Sequence, residues 1–302
     1  MSNILYEYAN GNTNVAIYDD GTKIREYDGT ASPIYPESID VKITNWCDGK
    51  CSYCHEKSTV AGKHGDLNKL TNVLSVFPAG TEIAVGGGDA LSHPDLLSFL
   101  YKLKEQGIIC NITVNCKHIA RNKDLLLKLL NEKLIMGLGI SYSNDSYLND
   151  MEELVKASSN IVFHLIMGIN TVEDVNALYE FTNKFNKKCK VLVLGYKQYG
   201  FGLNYYKSNS LIDSNKYCWY TKLASYFKKD NLVLSFDNLA INQLKLKRYF
   251  TDEAWNKFYM GEEGYFSMYI DSVEQKFAKS STTPEKKSFS EISLIDFFKT
   301  LK

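Results

Sequence analysis

The apolar residues of this chain change rhythm once. Over residues 4–29, "ILYEYANGNTNVAIYDDGTKIREYDG", they alternate with polar ones around the turn signals NGN and DDG, a period of two that predicts a small antiparallel meander. After "SPIYPES", short apolar runs separate longer segments whose apolar residues recur every three or four positions. "IDVKIT" (39–44) predicts a strand, "LNKLTNVLSVF" a helix, "TEIAVGG" a strand, and "HPDLLSFLYKLKEQG" an amphipathic helix closed by Gly107.

The succession continues through strand "IICNITVNC", helix "NKDLLLKLLNE", strand "IMGLGISYS", helix "YLNDMEELVKASS", strand "IVFHLIMGI", helix "TVEDVNALYEFTNKF" and strand "KVLVLGY". Such alternation predicts a parallel sheet, because each parallel strand needs a crossover helix. Periodicity fits an open doubly wound sheet and a partial barrel equally. A helix at about 214–229, a short strand "LVLSF" (232–236) and a tail with one or two strands, a loop and a closing helix complete the pattern.

Composition narrows the class. At 302 residues, 44% of them hydrophobic, the chain can bury a large core. Its 35 Lys and Arg balance 35 Asp and Glu, so no overall field recruits nucleic acid or an anionic membrane, and neither is expected as a partner. No basic leader opens the sequence and no apolar run approaches about 18 residues, which suggests a cytoplasmic protein. Seven cysteines, an odd number, do not make a disulfide framework, and reduced thiols are expected.

Three of those thiols fall within eight positions, in "NWCDGKCSYCHEK" (45–57). Cys47, Cys51 and Cys54 sit on a loop after the first long strand, with Gly49 giving the backbone freedom to wrap. Three small buried hydrophobes would be the plain alternative. Structural zinc wants four closed ligands, and His55, adjacent to Cys54, cannot readily turn onto the same ion. A 4Fe-4S cluster held by three thiolates would leave one iron open for chemistry.

"CDGKCSYC" resembles the Cys-x-x-x-Cys-x-aromatic-Cys signature of radical S-adenosylmethionine (SAM) enzymes, with Tyr53 at the aromatic position. The resemblance implies a partial (β/α)6 TIM-type barrel in which Cys47, Cys51 and Cys54 ligate one 4Fe-4S cluster and SAM chelates its open iron. Reductive cleavage of SAM then yields a 5′-deoxyadenosyl radical that abstracts a substrate hydrogen. This is cofactor-borne chemistry, for which the protein supplies position and exclusion of water.

The resemblance extends over about residues 38–200. "GGGDALSHPDL" is similar to the family's Gly-Gly-Glu-Pro motif, which implies that Gly86, Gly87, Gly88 and Asp89 contact the SAM amino group, although Asp89 stands in place of Glu and Ala90 in place of Pro. Asn115 and Ser141 with Ser143 match third- and fourth-strand positions near SAM, and Lys197 matches a segment leading to the substrate side. All lie at C-terminal ends of predicted strands, where parallel barrels collect function. His55 and His64 lie near the cysteine loop, whereas His93 is explained by the start of a helix. Cys116 and Cys218 could donate a hydrogen atom, with inert burial as the plainer reading.

The expected division is a β meander over 1–36, a radical SAM partial barrel over 37–236 and a C-terminal extension over 237–302. That extension is similar in outline to those of peptide-modifying relatives but lacks cysteines for auxiliary clusters, so one cluster is expected. A peptide or protein is the expected substrate, reached through the free edge of the meander, with a nucleotide or small metabolite as the alternative. Flavodoxin or ferredoxin is the expected electron donor. A noncatalytic iron-sulfur or zinc-binding module would explain the cysteines but not the glycine motif.

Overall fold

The computed structural model describes residues 3–259 and 261–302. Strands β1 (Ile4–Asn10), β2 (Thr13–Tyr18) and β3 (Lys23–Tyr27) form the expected antiparallel meander. Seven strands then follow in parallel: β4 (Ser38–Thr44), β5 (Glu82–Gly87), β6 (Ile109–Asn115), β7 (Gly137–Ser141), β8 (Ile161–Ile166), β9 (Cys189–Leu194) and β10 (Leu232–Phe236). The crossovers carry α1 (Leu67–Leu74), α2 (Leu96–Glu105), α3 (Ile119–Asn131), α4 (Leu148–Ala157) and α5 (Val172–Asn183), with α6 (Phe201–Ser208) and α7 (Leu211–Lys222) before β10.

The strands lie in the sheet in the order in which they occur in the chain. A doubly wound sheet reverses that order at a switch point, and this one does not. Right-handed crossovers that all advance one way stack every helix on one face. Ile39, Val41, Ile43, Ile83, Val85, Ile112, Val114, Leu138 and Phe163 are accordingly buried in one core with Leu70, Phe99, Leu126 and Leu154 of the helices. The alternate positions of β4 to β7 are polar or small, with Asp40, Lys42, Gly86, Asn111, Thr113 and Gly139 on the helix-free face, joined there by His164 of β8.

After α8 (Asn238–Leu244) and α9 (Asp252–Phe258), β11 (Ser267–Asp271) pairs in parallel with β4, and β12 (Lys276–Ala278) and β13 (Lys286–Ser288) follow antiparallel. The closing helix α10 (Leu294–Lys299) packs Phe297 against Phe277 of β12. The tail therefore widens the main sheet to ten strands. Strands β9 and β12 lie seven places apart in it, about 34 Å if the sheet were flat. Yet Lys197, just past β9, donates to Ser281, just past β12, at 2.9 Å. The sheet curls its helix-free face inward, and among the described residues no ladder closes the two edges.

The meander covers the N-terminal ends of the parallel strands. Val15 and Ile17 pack on Ile109, the first residue of β6, and Lys23 pairs with Glu82, the first residue of β5, at 2.5 Å. The cysteine loop leaves the opposite, C-terminal end of β4. The meander edge expected to receive a peptide is thus at the far end of the sheet from the thiols.

Candidate active site

The loop from Asn45 to Lys63 is stitched to itself by backbone bonds. Cys47 N donates to Thr59 O at 3.0 Å, Thr59 N to Asn45 O at 3.1 Å and Cys54 N to Cys51 O at 3.1 Å. Lys50 and Lys57 both adopt left-handed backbone conformations, which lets the loop double back around the thiols. Cys47, Cys51 and Cys54 are half-buried free thiols, and Cys47 and Cys51 line a cavity of about 260 Å³ with Lys50, Ser58, Thr59 and Phe201. Burial raises the pKa of Cys47 and Cys51; the Gly49 amide opposes this at Cys47 and the Lys117 ammonium at Cys51. The three thiols share one loop, but among the described residues only Asp48, Asp89 and His118 bring ligand atoms within 4.8 Å of one another, so the sulfurs do not close on a single ion.

Two backbone bonds tie the glycine stretch beneath this loop: Gly88 N donates to Thr44 O at 2.7 Å and Asp89 N to Trp46 O at 2.8 Å. The three glycines are not equivalent. A Cβ on Gly87, whose φ is +112°, would meet Thr44 O at 2.4 Å, and one on Gly88 would meet Trp46 O at 2.1 Å. On Gly86 it would meet nothing within 4 Å. Gly87 and Gly88 let two loops pack, whereas Gly86 faces open space.

Asn115, Ser141 and His164 are successive neighbours across β6, β7 and β8. The Asn115 amide lies 3.7 Å from Cys51 Sγ. Cys51, Cys116 and Ser143 surround the Tyr53 hydroxyl, and burial pushes its pKa above the usual range. The expected positions on the cysteine loop and on β5, β6 and β7 therefore come together at one end of the sheet. Asp89 differs in its surroundings: it is buried, and its carboxylate accepts from Leu91 N at 3.3 Å and from Arg121 at 2.7 Å.

The histidines near the loop separate. His64 Nδ1 meets Thr44 Oγ1 at 2.9 Å, and its ring packs edge-on against His93, which holds Gly65 O at 3.0 Å. Both brace the backbone. His55 lies beside Lys197 Nζ at 3.5 Å and Glu56 at 3.5 Å; burial, with Lys197 and Lys42 nearby, pulls its pKa down to about 3, so the ring is neutral. Cys116 and Cys189 are wholly buried, and Cys218 is half-buried on α7.

Residues 41–197, just over half of the chain, match the family model of the Radical SAM superfamily. The chain belongs to that superfamily. Membership of this radical SAM group makes it an enzyme and implies a 4Fe-4S cluster and SAM as its cofactors. No curated protein sequence matches it. Among solved structures, it is similar to Streptococcus suis SuiB bound to precursor peptide SuiA, with 16% identity and a TM-score of 0.64 over 88% of this chain. It is also similar to SuiB bound to S-adenosylmethionine, at 15% identity and a TM-score of 0.62. At such identity the likeness is one of fold, and this chain spans 65% of the first SuiB chain and 66% of the second. Among the described residues, no helix of this radical SAM protein is long and apolar enough to cross a membrane.

Nothing in the sequence pattern singles out Asp48 and Glu56 within the cysteine loop, or His118 and Arg121, which the fold brings against it. Each is an ordinary charged residue in its own segment, and only the approach of three loops gives it partners. Arg121 forks across the Asp48 carboxylate, and His118 lies between Asp48 and Asp89.

Proposed function

We propose that this protein is a radical SAM enzyme of partial (β/α)6-barrel architecture that carries one 4Fe-4S cluster on Cys47, Cys51 and Cys54 and acts on a peptide or protein. The observation that carries the reading is the placement of these three half-buried thiols on one loop, with the Asn115 amide at the end of β6 3.7 Å from Cys51 Sγ. When bound, the cluster and SAM supply reductive cleavage of SAM and a 5′-deoxyadenosyl radical able to abstract hydrogen. The chain's own part is geometric and electrostatic.

Loading the cluster removes protons from thiols whose pKa values burial has raised, so binding releases protons and weakens in acid. Gly86 leaves room for a ligand to lie against backbone carbonyls, with Gly87 and Gly88 holding the strand end in place. Asn115, Ser141, Ser143 and Tyr53 offer polar contacts around that space, and the inward-curled face of the sheet screens it from water. Residues 1–36 form the proposed meander, 37–236 the catalytic barrel and 237–302 an extension that widens the sheet beyond β4.

A peptide substrate is supported by the likeness in fold to SuiB in its complex with SuiA. It would enter from the cysteine-loop end rather than along the meander. The proposed setting is the cytoplasm, where thiols stay reduced and flavodoxin or ferredoxin can supply the electron.

The test is anaerobic reconstitution with iron and sulfide, reduction by dithionite with SAM, and mass-spectrometric detection of 5′-deoxyadenosine. Its formation, lost in Cys51→Ala, supports the reading; a loaded cluster that never binds SAM overturns it in favour of a noncatalytic module. Label transfer from deuterated peptides, rather than from nucleotides or small metabolites, into 5′-deoxyadenosine decides the substrate class.

A further inference from the structure

Three loops meet behind the cysteines, and each contributes charge. Asp48 comes from the loop after β4, between Cys47 and Gly49. Asp89 follows β5, and Lys117, His118 and Arg121 follow β6. Arg121 donates through Nη2 to Asp48 at 2.8 Å and to Asp89 at 2.7 Å, while Nη1 takes the second oxygen of Asp48. The His118 ring is buried between the same carboxylates, with Nε2 3.1 Å from Asp48 and Nδ1 3.4 Å from Asp89, close contacts that lack hydrogen-bond geometry. Lys117 Nζ holds Gly49 O at 3.2 Å, and Gly49 N in turn donates to Cys47 Sγ at 3.3 Å.

Two carboxylates from the loops after different strands are thereby bridged by one planar guanidinium, a geometry that lysine cannot reproduce. Asp48, Asp89 and His118 place ligand atoms within 4.8 Å of one another, close enough for a metal ion, but Arg121 already supplies the positive charge. The His118 side chain is buried, so direct contact with a substrate is closed to it. Arg121 and His118 both reach Asp48, which lies between Cys47 and Cys51, and both reach Asp89 on the neighbouring loop.

We propose that Asp48, Asp89, His118 and Arg121 are positioning residues, a clamp that holds the cysteine loop in ligating shape before iron arrives. The clamp rests on the reading of Cys47, Cys51 and Cys54 as cluster ligands. It also commits the Asp89 carboxylate to Arg121, and a SAM ammonium would then be held by strand-end carbonyls rather than by that side chain.

The experiment uses the iron-free full chain, with each thiol's iodoacetamide reaction followed by mass spectrometry and Cys218 on α7 as the internal reference. In Arg121→Gln, Cys47 and Cys51 should react about fivefold faster relative to Cys218, the size carried by one charge-assisted bond screened by solvent. Arg121→Lys, which keeps the charge but loses the fork, should fall between and serves if Arg121→Gln fails to fold. Unchanged ratios in a folded Arg121 variant overturn the clamp. For Asp89→Asn the clamp predicts the same acceleration, with SAM affinity of correctly loaded enzyme changed less than twofold. Lost SAM affinity with unchanged thiol rates would return Asp89 to the ammonium and overturn the clamp. If the wild-type chain takes up no cluster while Arg121→Gln still frees the thiols, the cluster reading and the ligating role of the clamp are both refuted, and only its hold on the loop stands.

Discussion

The Lys42 ammonium lies 2.8 Å from the Asp271 carboxylate, and both side chains are almost completely buried. One sits in β4, immediately before the cysteine loop, and the other in β11, some 230 residues later, in register beside it. Glu56, from the cysteine loop, is the second partner of Lys42 at 3.1 Å and accepts from the Tyr269 hydroxyl at 3.1 Å. Although burial opposes the charge on Lys42, these carboxylates outweigh it and raise its pKa. The extension is therefore wired to the loop that carries the thiols.

Asp271→Ala should cost about 2–3 kcal/mol, less than the 3–5 typical of breaking a buried pair because Glu56 remains. The melting temperature should fall by roughly 4–8 °C in calorimetry. Lys42→Met combined with Asp271→Leu should recover at least half of that loss; a double variant as unstable as the sum of its parts would show that the pair is not the cause.

Cys51→Ala should abolish 5′-deoxyadenosine formation without unfolding the iron-free chain. The thiol is half-buried and its contacts, to Gly49 O at 3.8 Å, to the Asn115 amide at 3.7 Å and to the Tyr53 hydroxyl, are weak sulfur bonds, so the apo melting temperature should shift by no more than about 1 °C. Iron content and the melting temperature of the reconstituted form should both drop. Full cluster occupancy in this variant would remove Cys51 from the ligand set.

The parallel succession was legible because β4 to β9 are short apolar runs divided by amphipathic helices with local boundary signals, such as the stop at Gly107, φ +72°, or the start at the Thr171–Asp174 capping box of α5. The thiol loop was legible because its spacing is local. The pairing of β11 with β4 was not, since Asp271 and Lys42 carry no mutual signal across the chain, and neither was the curl that brings Ser281 to Lys197. Arg121 and Asp48 were invisible for the same reason. Asp89 could be aligned with a motif, but the residue that now occupies its carboxylate lies on another helix.

The glycines separate packing from binding. Gly86→Ala adds a methyl to open space at an ordinary φ and should leave stability within about 0.5 kcal/mol, while reducing SAM affinity of the loaded enzyme by roughly tenfold. Gly88→Ala forces a methyl onto Trp46 O and should cost about 1–3 kcal/mol whether or not SAM is present. Equal melting temperatures for the two variants would contradict this division.

His164 gives the chain an acid-sensitive point outside the cysteine loop. Its ring lies over Gly139, where a Cβ would come within 2.6 Å of it, on the inward face of β8. Burial lowers its pKa from 6.5 to about 4. Between those values the unfolded chain binds a proton that the folded chain refuses, so stability is complete above pH 6.5 and is lost as pH falls toward 4. Because the ring is only partly covered, the loss should be on the order of 1–2 kcal/mol rather than the full linkage value. Urea unfolding of the iron-free protein at pH 7 and pH 5 should show this difference in the wild type and a smaller one in His164→Gln; equal pH dependence in both would place the proton uptake on another group.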